Sequence, residues 1–193
     1  MEIAKAEDLT LLSPFEDDYL ISGHGTIGLE VMKEKPDTEV IFCPIGGGAL
    51  ISGIALAIKA KNSKVKIIGV EPENANAMWL SLKQNSIMEK ENVNTIADGL
   101  ALKKPGIKPF NIVRKYVDDV VLVTEDEIKK ALVFLLERAK LLVEPSGAVS
   151  VAAAISNQLN MKDKEVVAIL SGGNIDLDKL NQILKEEISS IKE

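Results

Sequence analysis

Two glycine turns follow two apolar segments of this chain, and their residue types suit the binding of an anionic ligand. The first apolar run ends at Pro44 and leads through Ile45 into three consecutive glycines, Gly46 to Gly48, before a helix-forming segment that starts near Ala49. Glycines let a ligand approach the backbone closely, and the start of a helix adds unpaired N–H groups and a positive dipole end. This arrangement favours the binding of a phosphate group.

The second turn carries a hydroxyl group and follows the apolar segment 166–170. It reads Ser171, Gly172, Gly173 and Asn174. In a parallel sheet both turns lie at the carboxyl edge, where open α/β sheets bind their ligands. A ligand with a phosphate at one end and a ring nitrogen at the other would suit the two turns together.

Two nucleotide-binding patterns fit the sequence less well than the phosphate site described above. Gly46 and Gly48 give the beginning of a dinucleotide-binding fingerprint, and Glu71 ends the next apolar run where a ribose-binding acid would fall. However, Ile51 occupies the place of the third small residue. No Gly-Lys-Ser/Thr sequence follows the glycines, which excludes a P-loop. A dinucleotide-binding domain therefore stays an alternative.

Strand and helix signals alternate along the chain, which predicts a single α/β domain over residues 1–193. Its sheet should be mainly parallel and covered by helices on both faces. The predicted strands are Val40–Pro44, 66–70, Asp119–Val123 (an apolar strand expected to be buried on both faces) and 166–170. The predicted helices are 26–32, 50–61, 76–83, 128–139, 146–157 and 177–188, with an irregular stretch at 84–116.

The helix at 128–139 has the clearest pattern. Its apolar residues repeat at helical spacing in one stripe. Thr124 stands three residues before Glu127, a spacing typical of a capping box. The stripe consists of Ile128, Ala131, Leu132, Leu135, Leu136 and Ala139.

Composition limits the class of protein. The net charge is −6, and no stripe of basic residues alternates with aromatic ones, which argues against a nucleic-acid partner. No apolar run is long enough to span a membrane. The only cysteine, Cys43, lies within a predicted strand and is expected to be a small core residue. We expect a cytoplasmic protein with no membrane or nucleic-acid partner.

Five motifs, in order along the chain, resemble the threonine/serine ammonia-lyase (dehydratase) family. These enzymes depend on pyridoxal 5'-phosphate (PLP), belong to fold type II and share their fold with serine racemase. The resemblance begins near Pro14, and its motifs are Pro-Ile-Gly-Gly-Gly-Ala-Leu-Ile-Ser-Gly at 44–53, Val-Glu-Pro-Glu-Asn at 70–74, Thr-Ile-Ala-Asp-Gly at 95–99, Val-Glu-Pro-Ser-Gly-Ala at 143–148 and Leu-Ser-Gly-Gly-Asn-Ile-Asp-Leu at 170–177.

The resemblance implies the large domain of that fold, PLP as the cofactor, and deamination of threonine or serine to a 2-oxo acid and ammonia by β-elimination. In the family a glycine loop holds the phosphate through its N–H groups, a serine meets the pyridine nitrogen, and an acidic residue lies near the ring. Ala49 replaces a glycine of the loop and is strained only if its φ is positive. The matching residues are Gly46, Gly47, Gly48, Ala49 and Leu50 in the loop, then Ser171, then Glu144.

Some family members also bind a divalent cation on the segment after the second strand. Glu71 and the carbonyl of Ala75 match two of its ligands, but Ala77 stands at the place of an aspartate. We therefore expect no metal, because a hard oxygen ligand is missing.

Two motifs that are typical of this family are missing from the sequence. Neither Ser-x-Lys-x-Arg-Gly, which carries the Schiff-base lysine, nor the substrate loop Ser-x-Gly-Asn-His occurs. His24 is interpreted instead as a polar residue just before a helix. Residues 1–13 resemble the end of the family's small domain and the strand that leads back from it. We expect the carboxyl-terminal part of a catalytic unit, with the small domain absent and no catalytic residue of its own.

Such a chain should be inactive alone, and it should form a homo-oligomer or pair with a complementary amino-terminal chain. Two further alternatives remain open at this point. The chain could be a non-catalytic domain that binds PLP or another phosphate compound, or it could be similar to serine racemase in its activity.

Overall fold

The computed structural model describes residues 2–10, 12–156 and 158–190; Met1, Leu11, Asn157 and residues 191–193, which the predicted segments or the predicted domain include, lie outside this range. The strands are β1 (Val40–Pro44), β2 (Lys66–Pro72), β3 (Asp119–Val123) and β4 (Val166–Ala168). The helices are α1 (Glu2–Ala6), α2 (Asp18–Glu34), α3 (Ala49–Lys61), α4 (Ala77–Lys83), α5 (Ile107–Tyr116), α6 (Glu125–Phe134), α7 (Pro145–Ile155) and α8 (Leu177–Ser190).

These strands form a parallel sheet in the order β3-β2-β1-β4. Residues of β1 alternate between two apolar cores, because successive side chains of a strand point to opposite faces. Val40 and Phe42 pack with α6 and α7, whereas Ile41 and Cys43 pack with α3 and α5. All five residues of β1 are buried. The prediction of a parallel α/β sheet covered on both faces is confirmed.

The junction of β1 and β4 positions the candidate site. From β1 the chain moves outward through β2 to β3, and then returns to place β4 on the other side of β1. Both glycine turns follow these two neighbouring strands, so they meet at the carboxyl edge of the sheet. Crevices at such a reversal of strand order are the usual ligand sites of open α/β sheets.

The prediction of an irregular stretch over 84–116 is wrong for its last ten residues, which form α5. Gly106 and Pro109 suggested a break in the chain. Gly106 is in fact the N-cap of α5, and Pro109 lies in its first turn, where a backbone N–H would have no helical partner. The two residues therefore mark the start of a helix.

The helix predicted over 128–139 changes geometry near its end. The capping box of Thr124 and Glu127 is confirmed, and the α-helix runs to Phe134. A π-helical turn, Leu135–Ala139, follows and ends at Lys140 in the left-handed conformation. Because this turn rotates the last residues away from the core, Ala139 is exposed although it shares the apolar spacing.

Three other predicted features differ in extent. β3 is not buried on both faces: Asp119 is exposed and Val121 is half-buried, because β3 is at the edge of the described sheet. β4 ends at Ala168, earlier than predicted. Residues 2–6 form helix α1, and no strand occurs among the described residues of the 1–13 segment. No helix in the described part of the chain is both long and apolar enough to cross a bilayer.

Candidate functional site

The glycine loop is a tight connection between β1 and α3. The N–H of Ile45 donates to the carbonyl of Val70 at 2.9 Å, which ties the start of the loop to β2. Gly48 then caps α3 with φ +95°, a conformation that favours glycine. Ala49 is the first residue of α3 and does not have a positive φ. Alanine at this position is therefore unstrained.

The first turn of α3 presents unpaired backbone donors. Its first hydrogen bond runs from the N–H of Ser52 to the carbonyl of Gly48, at 3.1 Å. The N–H groups of Ala49, Leu50 and Ile51 therefore have no hydrogen-bond acceptor within the helix. Together with the positive end of the α3 dipole, they form a suitable environment for an anion.

A cavity of about 310 Å³ opens beside this loop. Its volume lies in the range of small-molecule sites. Ser171 lines the same cavity, so the structure brings together six of the seven residues that the sequence singled out. The lining residues are Pro14, Phe15, His24, Pro44, Gly46, Gly47, Gly48, Ala49, Leu50, Gly99, Leu100, Leu102 and Ser171.

Glu144, the seventh, contacts the second glycine turn and is not among the lining residues. Its carboxylate accepts a hydrogen bond from the N–H of Asn174 at 2.8 Å. Its own N–H donates to the carbonyl of Gly172 at 3.1 Å. A Cβ at Gly172 would lie 2.6 Å from an oxygen of Glu144, so glycine lets the two segments touch. Glu144 thus fixes the turn that carries Ser171.

Phe15 is a cavity residue that sequence reasoning missed. A Cβ at Gly47 would lie 2.6 Å from Cβ of Phe15, so the aromatic residue packs directly on the loop. The carbonyl of Gly47 also accepts a hydrogen bond from Gly106 at 3.1 Å. The one signal for Phe15 was its position at the beginning of the family resemblance, beside Pro14. Gly99, likewise unassigned, closes one of the five motifs.

His24 does not precede a helix, as the sequence suggested, but lies within α2. The helix begins at Asp18, because the side chain of Asp17 caps it by accepting from the N–H of Leu20. The glycines on either side of His24 suggested a later start. His24 is half-buried and lines the cavity, and burial lowers the pKa of its imidazole.

Glu71, at the end of β2, has both carboxylate oxygens occupied by the protein. They accept from the N–H groups of Met78 at 3.0 Å and Trp79 at 2.7 Å, at the start of α4. On the same segment the ammonium group of Lys90 donates to the carbonyl of Glu73 and to the side chain of Asn76. Among the described residues no group of three or more histidine, cysteine or acidic side chains could hold a metal ion. That no metal binds stays a prediction.

We expect Glu71 to make the protein less stable as the pH rises. Burial raises the pKa of Glu71 from 4.5 to about 8, although its two N–H donors and Lys90 oppose the rise. Between about pH 5 and pH 8 the folded state therefore keeps a proton that the unfolded state has released, so the free energy of unfolding falls with pH. The slope approaches about 1.4 kcal/mol per pH unit.

The measurement is urea unfolding across this pH range for the wild type and for Glu71→Gln. Glutamine keeps one acceptor and cannot titrate, so its profile should lack this slope even though one N–H loses its partner. The difference between the two proteins isolates Glu71 from the other titrating groups. Parallel profiles would contradict the prediction.

Comparison with known proteins agrees with this geometry. The pattern of the family described as pyridoxal-phosphate dependent enzyme matches residues 1–172. The chain is 46% identical to L-threonine ammonia-lyase of Thermotoga maritima over 186 residues, which covers 96% of this chain and 46% of that protein. It thus spans about half the length of the curated relatives it matches.

Two solved structures share the fold along nearly the whole chain. Processed threonine deaminase isoform 2 from Solanum lycopersicum superposes with a TM-score of 0.91 at 37% identity, over 95% of this chain and 54% of that one. Maize serine racemase superposes with a TM-score of 0.88 at 36% identity, over 100% of this chain and 60% of that one. With the family pattern covering most of its residues, the chain belongs to the pyridoxal-phosphate dependent enzymes.

Proposed function

We propose that this chain forms the phosphate-binding part of an enzyme that deaminates L-threonine or L-serine by PLP-dependent β-elimination. One observation carries the proposal: the unpaired N–H groups at the start of α3 lie beside the same cavity as the hydroxyl of Ser171. The relatives named threonine ammonia-lyase and threonine deaminase support the reaction class.

The residues of the cavity fit the cofactor. The N–H groups of the loop, Gly46 to Leu50, would hold its phosphate, and the hydroxyl of Ser171 would meet its pyridine nitrogen. Glu144 would hold the second glycine turn in place beside the ring. When bound, the cofactor supplies an electron sink for the pair released at the substrate Cα.

Ser171 favours one class of reaction over another. A neutral hydroxyl does not hold a proton on the pyridine nitrogen as a carboxylate would, so the electron sink is weaker. A weak sink suits departure of a β-hydroxyl better than transamination. The residue at this position therefore supports elimination.

We assign the transfer of the proton at the substrate Cα to no residue of this sequence. That role needs the lysine of a Ser-x-Lys-x-Arg-Gly motif, and no such motif occurs in the 193 residues. We propose that this group comes from a complementary amino-terminal segment, and that residues 1–193 bind the cofactor without turning over substrate.

Racemisation of serine is the second candidate reaction. The superposition on maize serine racemase covers all of this chain, so the half of the fold seen here is common to both reaction classes. The two differ in where a second base stands. The products separate them, since elimination yields a 2-oxo acid and racemisation yields D-serine.

The test has two stages. PLP is titrated into the purified chain and followed by cofactor absorbance and Trp79 fluorescence, with inorganic phosphate as the competitor. Trp79 is a suitable reporter because it adjoins Met78, whose methyl carbon lies 2.8 Å from the position that a Cβ of Gly48 would take. We expect saturable binding that phosphate displaces; absence of binding would contradict the proposed site.

In the second stage the chain is mixed with the amino-terminal segment of the Thermotoga maritima relative that precedes the matched region. We expect 2-oxo acid from L-threonine or L-serine in the mixture and none from either part alone. Formation of D-serine without 2-oxo acid would favour the racemase. Turnover by residues 1–193 alone would overturn the assignment of the base to another segment.

A further inference from the structure

Among the described residues that line the cavity, His24 is the only one with a titratable side chain. The other lining residues are apolar or glycine, apart from Ser171, whose hydroxyl is neutral. The loop itself offers backbone N–H dipoles, and a helix end is equivalent to only about half a unit of positive charge. Among the described lining residues, only His24 could therefore present a full positive charge to a phosphate dianion in this cavity.

The crossing of α2 and α3 places His24 against the beginning of α3. Gly53 lies in the second turn of α3, and a Cβ there would be 2.8 Å from Cβ of His24. The same Cβ would be 2.7 Å from the backbone nitrogen of Gly25. This close approach holds the imidazole on the wall that it shares with the glycine loop.

Most charged side chains on the surrounding elements are engaged with other groups or stand at the distant end of a helix, whereas Lys103 and Lys104 are exposed and directly follow the lining residue Leu102. Glu16 accepts from the N–H groups of Ile107 and Lys108, and Asp18 pairs with the side chain of Lys108. The charged residues on these elements are Glu16, Asp17, Asp18, Glu30, Lys33 and Glu34 on and before α2, Lys59 and Lys61 at the end of α3, Asp98, Lys103 and Lys104 around the 99–102 segment, and Glu144 beside the second turn.

The remaining carboxylates have partners of their own. Asp17 caps α2, Asp98 pairs with Lys179, and Glu144 accepts from Asn174. In the contacts of the described residues no carboxylate stabilises a charged His24. Burial alone acts on the imidazole and lowers its pKa. An anion in the cavity would thus be the first strong partner for an imidazolium.

We propose that His24 is a second component of the anion site, whose imidazolium form pairs with the phosphate group held by the glycine loop. Binding of a phosphate ester then takes up a proton from water, and affinity rises as the pH falls. This inference rests on the proposed function, because it assumes that the loop binds phosphate. It assigns His24 a role in binding the anion and none in proton transfer to substrate.

The probe for the test is inorganic sulfate, which stays a dianion across the titration of histidine. Because His24 is the only histidine of the 193 residues, its imidazole C2–H signal in proton NMR is unique. We expect saturating sulfate to raise the measured pKa of His24 by about one unit or more, corresponding to a tenfold preference for the protonated form. An unchanged pKa in the presence of bound sulfate would overturn the proposal.

His24→Gln is the matched variant, since glutamine is polar and of similar length but cannot carry a charge. Sulfate binding, followed by Trp79 fluorescence, should weaken about tenfold from acid to alkaline pH in the wild type. In the variant it should stay at the weak, alkaline level throughout. If sulfate and PLP bind both proteins equally at every pH, the loop remains the anion site and the proposed role of His24 is overturned.

The failure of the proposed function has a different signature. If neither sulfate nor PLP binds the wild type at any pH, the loop is no anion site, and both proposals are overturned. If the variant does not fold, the NMR titration of the wild type decides alone. The two arms thus separate a wrong assignment of His24 from a wrong assignment of the cavity.

Discussion

Replacement of Gly47 by alanine is expected to weaken PLP binding at least about tenfold, or about 1.4 kcal/mol. The new Cβ would lie 2.6 Å from Cβ of Phe15, at the root of the aromatic side chain rather than at its flexible end. Phe15 cannot yield by a small rotation, so the loop or the segment at Phe15 must move. Either movement disturbs the N–H groups that would hold the phosphate. The PLP titration by absorbance and Trp79 fluorescence measures the loss.

Two further variants show whether the clash is the cause. Gly23→Ala adds the same methyl group on α2, where nothing lies within 4 Å of the new Cβ, and it should leave the affinity unchanged. Phe15→Gly combined with Gly47→Ala removes the obstructing Cβ together with the ring and should restore much of the binding. A Gly47→Ala protein with wild-type affinity would show that the loop is not the phosphate site.

Local signals in the sequence were enough to predict the centre of this site. The run of apolar residues in β1 ends at three glycines, and the same pattern recurs after β4 at Ser171. Parallel strands bring their carboxyl ends to one edge, so the two turns had to meet once the strands were neighbours. The capping box at Thr124 was likewise readable, because both of its partners lie within one turn.

The rest of the site depends on contacts between residues distant in sequence. Phe15 and His24 reach the glycine loop only because α2 packs across α3, and no local pattern encodes that crossing. The glycines flanking His24 looked like helix breakers. Gly25 is in fact required by packing, since a Cβ there would lie 3.3 Å from the carbonyl oxygen of Gly53. A glycine kept for close approach and one kept for a turn look alike in a sequence.

Gly53→Ala is expected to destabilise the protein by about 3 kcal/mol or more, the upper part of the range for overpacking. The added Cβ would contact the backbone nitrogen of Gly25 at 2.7 Å and Cβ of His24 at 2.8 Å, and would meet the carbonyl oxygen of Ile21 more closely still. Two of these three atoms belong to the backbone of α2, which cannot rotate away. The helices must therefore separate, and urea unfolding measures the cost as a lower midpoint.

A graded series of alanine variants tests whether helix approach is the cause. Gly25→Ala meets its nearest atom at 3.3 Å, so its loss should be smaller, about 1 kcal/mol. Gly23→Ala meets nothing and should gain about 0.5 to 1 kcal/mol, the usual advantage of alanine over glycine in a helix. Because the same crossing places His24, Gly53→Ala should also lower the response of the His24 NMR signal to sulfate. Equal stabilities across the three variants would mean that α2 and α3 do not pack at this distance.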